Sequence, residues 1–383
     1  MGEQILTKFI HTSDWQIGRA FSGFPDDVRG ILVNARFETI RRIGQEAMTK
    51  GSRLVVVAGD VYDLEEPSTL TLRKPLEIMR SFPDVDWALM PGNHDPARTD
   101  GLWDRLSKSG LPSNVHLMLD NAPVLLKDKI AVLPAPLRRK RSTGDMTDWM
   151  KGAETPDGYL RIGVAHGPVV GFGSDDDMVN NLVPPDRAEQ SHLDYLALGD
   201  WHSTMRVGPR TWYSGTHETD RYKARDGEEV SGGGKILSVT LEGPGAFPEI
   251  EAVHVGEFTW RQIERTILED EAIENIVKDL EDISSPQKNI VRLGLKGALS
   301  LAGMAALDSK VQSRFGATFG HFEAETSGLL PEPTDDDISS IDSSGFVRSA
   351  AERLRGMIKS PDQQVSRLAR LALTRLYVET AGA

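Results

Sequence analysis

Through the first two thirds of the chain, short apolar runs alternate with longer stretches of helical spacing. "KFIHTS", "RLVVVAGD" and "VDWALMPGN" read as strands, and residues 26–50 and 68–80 between them as helices. That rhythm predicts an α/β fold. The later runs "KIAVLPAP", "LRIGVAHG", "DYLALGD" and "TWYSG" lie closer together with turn residues between them, which predicts a second, more antiparallel sheet. The first domain is expected to close near Val255, after "GKILSVTLEGPG" and "PEIEAVHV", and so to span 1–255. A smaller α/β unit is expected over 256–330, with helix 271–283, strand "NIVRLGLKG", helix 301–315 and strand "ATFGHFEAE". The stretch 331–345, "PEPTDDDISSIDSSG", carries five acidic residues and no basic ones, and reads as a linker. Beyond it, 346–383 holds seven basic and three acidic residues. Val347, Ala351, Leu354 and Ile358 fall at helical spacing, and Ser360-Pro361-Asp362-Gln363 opens a second helix. The pair either packs on its own domain or, set apart by the acidic linker, grips a partner.

Composition narrows the class. A chain of 383 residues has room for two or three domains, and 39% hydrophobic with 26% charged residues is ordinary for a globular protein. No apolar run reaches the roughly 18 residues of a membrane span, and "MGEQILTKF" has neither a secretory apolar region nor a myristoylation Ser or Thr. A cytoplasmic protein with no membrane partner is expected. The chain has no Cys, so thiolate chemistry is excluded and any metal site must draw on Asp, Asn, Gln, Glu and His. The formal charge, 44 − 57 = −13, argues against coating nucleic acid by charge alone. It leaves a nuclease open, provided that cations at the site or a partner supply positive charge.

Five polar clusters end the strand-like runs: Asp14 with Gln16 in "TSDWQIG", Asp60 and Asp63 in "VVVAGDVYD", Asn93, His94 and Asp95 in "MPGNHD", His166 in "GVAHG", and Asp200 with His202 in "LALGDWH". One such cluster is weak; five in this order are specific. Two divalent cations about 3.5 to 4 Å apart need a shared carboxylate and hard oxygen or imidazole donors on either side, all brought to one rim.

The order resembles the calcineurin-like metallophosphoesterase superfamily, whose pattern is Asp-x-His, Gly-Asp-x-x-Asp, Gly-Asn-His-Asp/Glu, a lone His and Gly-His-x-His. "FIHTSDWQIGR", "VVVAGDVYD", "MPGNHD", "DYLALGDWH" and "TWYSGT" are more similar to its DNA-repair exonuclease branch, the SbcD-type nuclease subunits. The resemblance implies a four-layer sandwich of two mixed β-sheets flanked by helices, a small α/β capping domain and C-terminal helices. It further implies a DNA nuclease that uses a metal-bound hydroxide, works with a coiled-coil ABC-type ATPase gripped through those helices, and forms a homodimer. By position, Asp14 and His202 hold the first metal, Asp60 bridges, and Asn93, His166 and Asp200 hold the second. His94 protonates the leaving oxygen or stabilises charge on phosphorus, with Asp95 to orient it.

Two positions depart from that pattern. Gln16 stands where the family has His, and Asp200 stands for the first His of Gly-His-x-His. An amide and a carboxylate in place of two imidazoles shift preference away from Zn²⁺ toward harder cations, so Mn²⁺ is expected, with Mg²⁺ as the alternative. Asp63, His217 in "YSGTHETDR", and Arg138 and Arg139 in "LRRKRS" are candidate substrate contacts; for His217 and the basic run the competing reading is a polar, solvated loop. Trp15 and Tyr62 either stack on substrate or belong to the core. Two other functions compete with the nuclease: a phosphodiesterase or phosphatase for a small or protein substrate, and a scaffold whose metal site has weakened.

Overall fold

The computed structural model describes residues 6–171, 180–222, 233–331 and 346–381. The chain divides into two compact units, Met1–Phe258 and Thr259–Ala383. The first contains β1 (Thr7–Thr12), α1 (Asp26–Lys50), β2 (Leu54–Ala58), α2 (Thr69–Arg80), β3 (Asp86–Met90), α3 (Leu102–Lys108), β4 (Val115–Leu117), β5 (Val124–Leu126), β6 (Ile130–Pro134), β7 (Leu160–His166), α4 (Arg187–Gln190), β8 (Tyr195–Gly199), β9 (Met205–Arg206), β10 (Thr211–Tyr213), β11 (Lys235–Leu241) and β12 (Glu249–His254). They form two six-stranded sheets, ordered β12-β11-β1-β2-β3-β4 and β5-β6-β7-β8-β10-β9.

β2 shows why the sheets stack. All five residues of "LVVVA" are buried, which requires cover on both faces, since successive side chains point opposite ways. Leu54, Val56 and Ala58 meet Ile130, Val132, Ile162 and Val164 of the second sheet. Val55 and Val57 join Ile40, Ile43, Leu76, Met79 and Trp103 from the helices. The far face of the second sheet is covered by Met150, Ala188 and Leu193. Helices, sheet, sheet and a second helical layer make the four-layer α/β sandwich that the sequence and its resemblance predict.

The second sheet is not predominantly antiparallel, as its close-set runs suggest. β6, β7, β8 and β10 are parallel, and only the edge pairs β5/β6 and β9/β10 are antiparallel. Long connections after β6 and β7 allow the crossovers that parallel pairing needs. In the first sheet β1 to β4 are parallel, and β11 and β12 close it antiparallel.

The second unit has a parallel three-stranded sheet, β13 (Thr259–Ile267), β14 (Asn289–Leu299) and β15 (His321–Pro331), with α5 (Ala272–Glu281), α6 (Leu301–Leu307) and α7 (Arg314–Gly316). Ile273, Ile276, Leu280, Val291, Leu293, Phe315 and Phe322 form its core. β15 starts later than "ATFGHFEAE" suggests, because Thr318 N and Phe319 N still bond to Phe315 O at 3.0 Å and close the preceding helix. Within the same unit lie α8 (Phe346–Ile358) and α9 (Gln363–Ala381). Asp362 caps α9 by accepting from Gln364 N at 2.9 Å, and Arg367 pairs with Glu269. The expected acidic linker lies, from residue 332 on, outside the described residues. Among the described residues no helix is long and apolar enough to cross a membrane.

Candidate metal centre

The carboxyl ends of five parallel strands carry the candidate residues, where α/β sheets present their working face. β1 leads into Asp14 and Gln16, β2 into Asp60 and Asp63, β3 into Asn93 to Asp95, β7 ends on His166, and β8 leads into Asp200 and His202. The two sheets approach closely at this end: a Cβ on Gly199 would lie 2.0 Å from Ala58 O, so only glycine fits. Gly59, at φ +88°, leaves room for the His166 ring, since a Cβ there would sit 2.2 Å from its Nδ1. Four working residues are themselves left-handed: Asp14 (φ 53°), Gln16 (42°), Asp60 (53°) and Asp200 (98°). Bonds between the loops hold them there. Asp14 N donates to Gly59 O at 3.1 Å and Gln16 N to Asp60 O at 2.8 Å, while Asp200 N donates to the Asp14 carboxylate at 3.2 Å.

At the centre, ligand atoms of Asp14, Asp60 and His166 all lie within 4.8 Å of one another, and all three residues are buried. His166 decides what this cluster is suited to hold. Its Nδ1 donates to Ala58 O at 2.9 Å, so in the neutral ring Nε2 presents a lone pair. That nitrogen faces oxygens: Asn93 Oδ1 at 3.1 Å, Asp60 Oδ1 at 3.4 Å and Asp200 Oδ1 at 3.7 Å. A lone pair among acceptors is satisfied only by an extra proton or a cation. Burial lowers the His166 pKa, but Asp60, Asp14 and Asp200 outweigh it and lift it to about 9. Burial, with help from neighbouring carboxylates, raises the pKa of Asp14 and of Asp200. Hard oxygen donors and one aimed imidazole fit a divalent cation of the Mn²⁺ or Mg²⁺ kind.

The other side of the centre is arranged differently from the expectation. His202 Nε2 lies 3.8 Å from Asp14 Oδ1. Gln16 turns its amide nitrogen toward the same Nε2, at 3.4 Å, and its oxygen accepts from Arg19 Nη1 at 2.8 Å. The one atom of Gln16 suited to a cation is thus held by a guanidinium. Asp220 Oδ1 stands 3.6 Å from His202 Nδ1, and Arg221 contacts that nitrogen too. Asp220 is buried with Arg36 at 3.1 Å. Burial raises its pKa, but His202, Arg36 and Arg19 hold it well below the usual carboxylate range.

His94 sits half-exposed at the mouth. Its Nδ1 lies 3.3 Å from Asp63 O and 3.5 Å from Asp63 Oδ1, and its Nε2 lies 4.0 Å from Asp60 Oδ2. The Asp63 hydrogen bond, opposed by burial and aided by Asp60, raises its pKa to about 9. Asp95 does not orient this ring. It is buried, accepting from Tyr62 N at 3.0 Å and Gly92 N at 2.7 Å, so it ties the β3 loop to the β2 loop, and Asp63 is the carboxylate against His94.

His217 is not a substrate contact: it is fully buried, bonded through Nε2 to Arg36 O at 3.0 Å and packed against Trp15. Burial and Arg36 depress its pKa well below the usual range. Trp15 and Tyr62 are core, their polar atoms bonded to Thr12 Oγ1 and Leu72 O. Arg138 is exposed and paired with Asp120 at 2.8 Å, and Arg139 is exposed. Sequence reasoning missed Asp220, Arg36 and Arg19. A signal for Asp220 was the run Thr216 to Asp220, five consecutive polar residues, all of which the structure buries.

Carboxylates, an amide and a committed imidazole, with ligand atoms of Asp14, Asp60 and His166 within 4.8 Å of one another, at the rim of a two-sheet sandwich, define a hard-metal hydrolytic centre. Residues 7–232 match the calcineurin-like phosphoesterase family, and the chain belongs to that family, whose chemistry is metal-dependent phosphoester hydrolysis. No curated protein matches the chain. Among solved structures it is similar to TT1561 of Thermus thermophilus, at 10% identity and TM-score 0.39, over 66% of this chain and 100% of that one. It is also similar to GAP50, the anchor in the inner membrane complex of Plasmodium, at 10% identity and TM-score 0.39, over 65% of this chain and 85% of that one.

Proposed function

We propose that the protein is a cytoplasmic DNA nuclease of the SbcD-type repair branch. It hydrolyses phosphodiesters with two divalent cations, Mn²⁺ in preference to Mg²⁺, and acts with a coiled-coil ABC-type ATPase. The observation that carries the hydrolytic part is the meeting of Asp14, Asp60 and the lone-pair face of His166 beside a half-exposed His94. When bound, the cations supply Lewis acidity toward phosphoryl oxygens and acidify a water for attack. Asp14, Asp60, Asn93, His166, Asp200 and His202 are the residues that would hold them. Asp220 keeps His202 turned toward Asp14. His94, protonated through its Asp63 contact, donates its Nε2 proton to the leaving oxygen.

The DNA part rests on the motif resemblance and on charge placement. Lys140 of the basic run reaches Glu65 at 3.5 Å, two residues beyond Asp63, so the run lies against the loop that bears the partner of His94. The second unit takes the cap's place in the chain. In α8 and α9 the exposed Phe346, Met357 and Leu368 offer apolar anchors for the ATPase coiled coil. Exposed Ile31, Met48 and Leu70 on α1 and α2 are in keeping with a homodimer.

The test is cleavage of linear double-stranded and single-stranded DNA with Mn²⁺, Mg²⁺ or chelator, comparing wild type with His94→Ala and Asp60→Ala. Metal-dependent cleavage lost in both variants is expected. Cleavage that survives both substitutions overturns the mechanism. Hydrolysis of bis(4-nitrophenyl) phosphate without DNA cleavage moves the protein to the small-substrate class, and absence of Mn²⁺ binding by calorimetry makes it a scaffold.

A further inference from the structure

Arg19 lies across the end of the centre where Gln16 replaces an imidazole. A turn over residues 16–19, closed by Arg19 N to Gln16 O at 3.2 Å, brings its side chain back over the loop. Nη1 reaches Gln16 Oε1 at 2.8 Å, Asp220 Oδ2 at 3.3 Å and Asp63 Oδ1 at 3.8 Å, and the guanidinium sits 5.8 Å from the Phe21 ring centroid. Nη1 makes all of these closest approaches; Nε and Nη2 make no hydrogen bond to the described residues. The side chain is 32% exposed, so a two-nitrogen fork remains open on an otherwise anchored cation.

Charge balance gives a reason for that fork. Asp220 does not need Arg19, since Arg36 at 3.1 Å and Arg221 at 3.2 Å already pair with it. Cations held by Asp14, Asp60 and Asp200 would answer those carboxylates, but Asp63, outside that set, still repels a phosphoester brought to the rim. Gln16, bonded to Arg19, reaches His202 of the first metal side, and Asp63, also beside Arg19, reaches His94. A permanently charged planar fork between a metal ligand and the proton donor suits an oxyanion, and guanidinium binds phosphate oxygens in paired hydrogen bonds.

We propose that Arg19 is a phosphoryl-oxygen subsite, its Nε and Nη2 binding a non-bridging oxygen of the substrate phosphate. The subsite rests on the phosphoester-hydrolase function argued above. It adds a specificity element that the five motifs do not contain, and it gives positive charge to the side of the centre where a neutral amide stands in place of an imidazole.

The test uses the full chain loaded with Mn²⁺, with inorganic phosphate as the binding probe and bis(4-nitrophenyl) phosphate as the reporter. Arg19→Gln is expected to weaken phosphate binding and raise KM by about 10- to 100-fold, the worth of a charged hydrogen-bonding pair, while Mn²⁺ affinity by calorimetry stays within about twofold. Arg19→Lys, which restores a point charge without the fork, should recover part of the loss. Unchanged phosphate affinity in both variants overturns the subsite. So does a loss that follows Mn²⁺ affinity, because Arg19 would then serve only to hold Gln16. If wild type hydrolyses no phosphoester, the hydrolase function fails on its own, and phosphate binding to the Mn²⁺-loaded protein still decides the subsite.

Discussion

Asp95 follows the motif histidine in sequence while Asp63 stands against its ring in space, and exchanging each for Asn separates their tasks. Asp95 is buried with one oxygen on Tyr62 N at 3.0 Å and the other on Gly92 N at 2.7 Å. An Asn there keeps one acceptor and turns an NH₂ toward the remaining N–H, so one bond is lost and a buried donor is stranded. That costs about 1–3 kcal/mol. Relief of repulsion with Asp60, which with burial pushes the Asp95 pKa well up, offsets a part. The expected loss in melting temperature is roughly 2 to 10 °C for a unit of this size. Asp63 is only partly buried and touches His94 Nδ1 at 3.5 Å, so Asp63→Asn should leave stability within about 0.5 kcal/mol. It should act on chemistry instead. His94 has its pKa raised, so its acid role is fully present at low pH and fades as pH rises through that pKa. Removing the Asp63 charge lowers the pKa and moves the high-pH limb of kcat to lower pH. A cation on Asp60 weakens the upward push, so the limb in the loaded enzyme falls below the value of about 9 given by the protein alone. The assays are thermal unfolding in chelator and a kcat profile from pH 6 to about 10 in Mn²⁺. If Asp95→Asn moves the limb without lowering the melting temperature, Asp95 orients His94 and the assignment to Asp63 is wrong.

Three further outcomes are expected. Gly59→Ala places a Cβ 2.2 Å from His166 Nδ1 at φ +88°; the ring must leave Ala58 O, and Mn²⁺ affinity by calorimetry should fall about 10- to 100-fold, whereas unchanged affinity would mean His166 is not a ligand. Gln16→His should tighten the weaker Mn²⁺ site by at least about tenfold; an unaltered isotherm would show that this side chain does not face the ions. Asp14 and Asp200 have raised pKa values in the metal-free fold, so it retains protons that the unfolded chain releases. That stability is present at low pH and is lost as pH rises through the raised values. Mn²⁺ needs the ionised carboxylates, so its gain in melting temperature should grow as pH rises above the ordinary carboxylate range; a gain independent of pH contradicts the carboxylate assignment.

Much of this centre was legible because its residues sit at the ends of continuous apolar runs. β2 and β8 are buried along their whole length, so the first polar residues after them are those the rim presents. α1 follows from its helical run and its closing Gly51, which is left-handed, and α2 from the Ser68 cap. What escaped is what depends on pairing across the fold. A run such as Thr216 to Asp220 reads as solvated loop unless the partners are known; here Glu218 is buried by Thr39 Oγ1, Glu257 N and Phe258 N. Adjacency in sequence favours Asp95 as the partner of His94, but neighbouring side chains on an irregular loop point apart, and Asp63 comes from another strand. Strand direction in the second sheet was equally hidden, because apolar runs look alike in either sense.

The strain at the rim bears on whether the centre is used. Four non-glycine residues in left-handed geometry cost on the order of 1 kcal/mol each or more, and Asp14 adds a buried charge and Asp200 a partly buried one, which desolvation and mutual repulsion both oppose. Trp15, Ile17, Val61 and Tyr62 anchor these loops in the first core, but the packing does not require the charges: asparagine at Asp14, Asp60 or Asp200 would keep the backbone and relieve the repulsion. A scaffold is more stable without the cluster. An arrangement held at that cost, with one imidazole committed by Ala58 O to point its lone pair inward, gains only when a cation occupies it. The strain and the donor set therefore argue together for a metal-loaded, working centre and against a site that has merely decayed around Gln16.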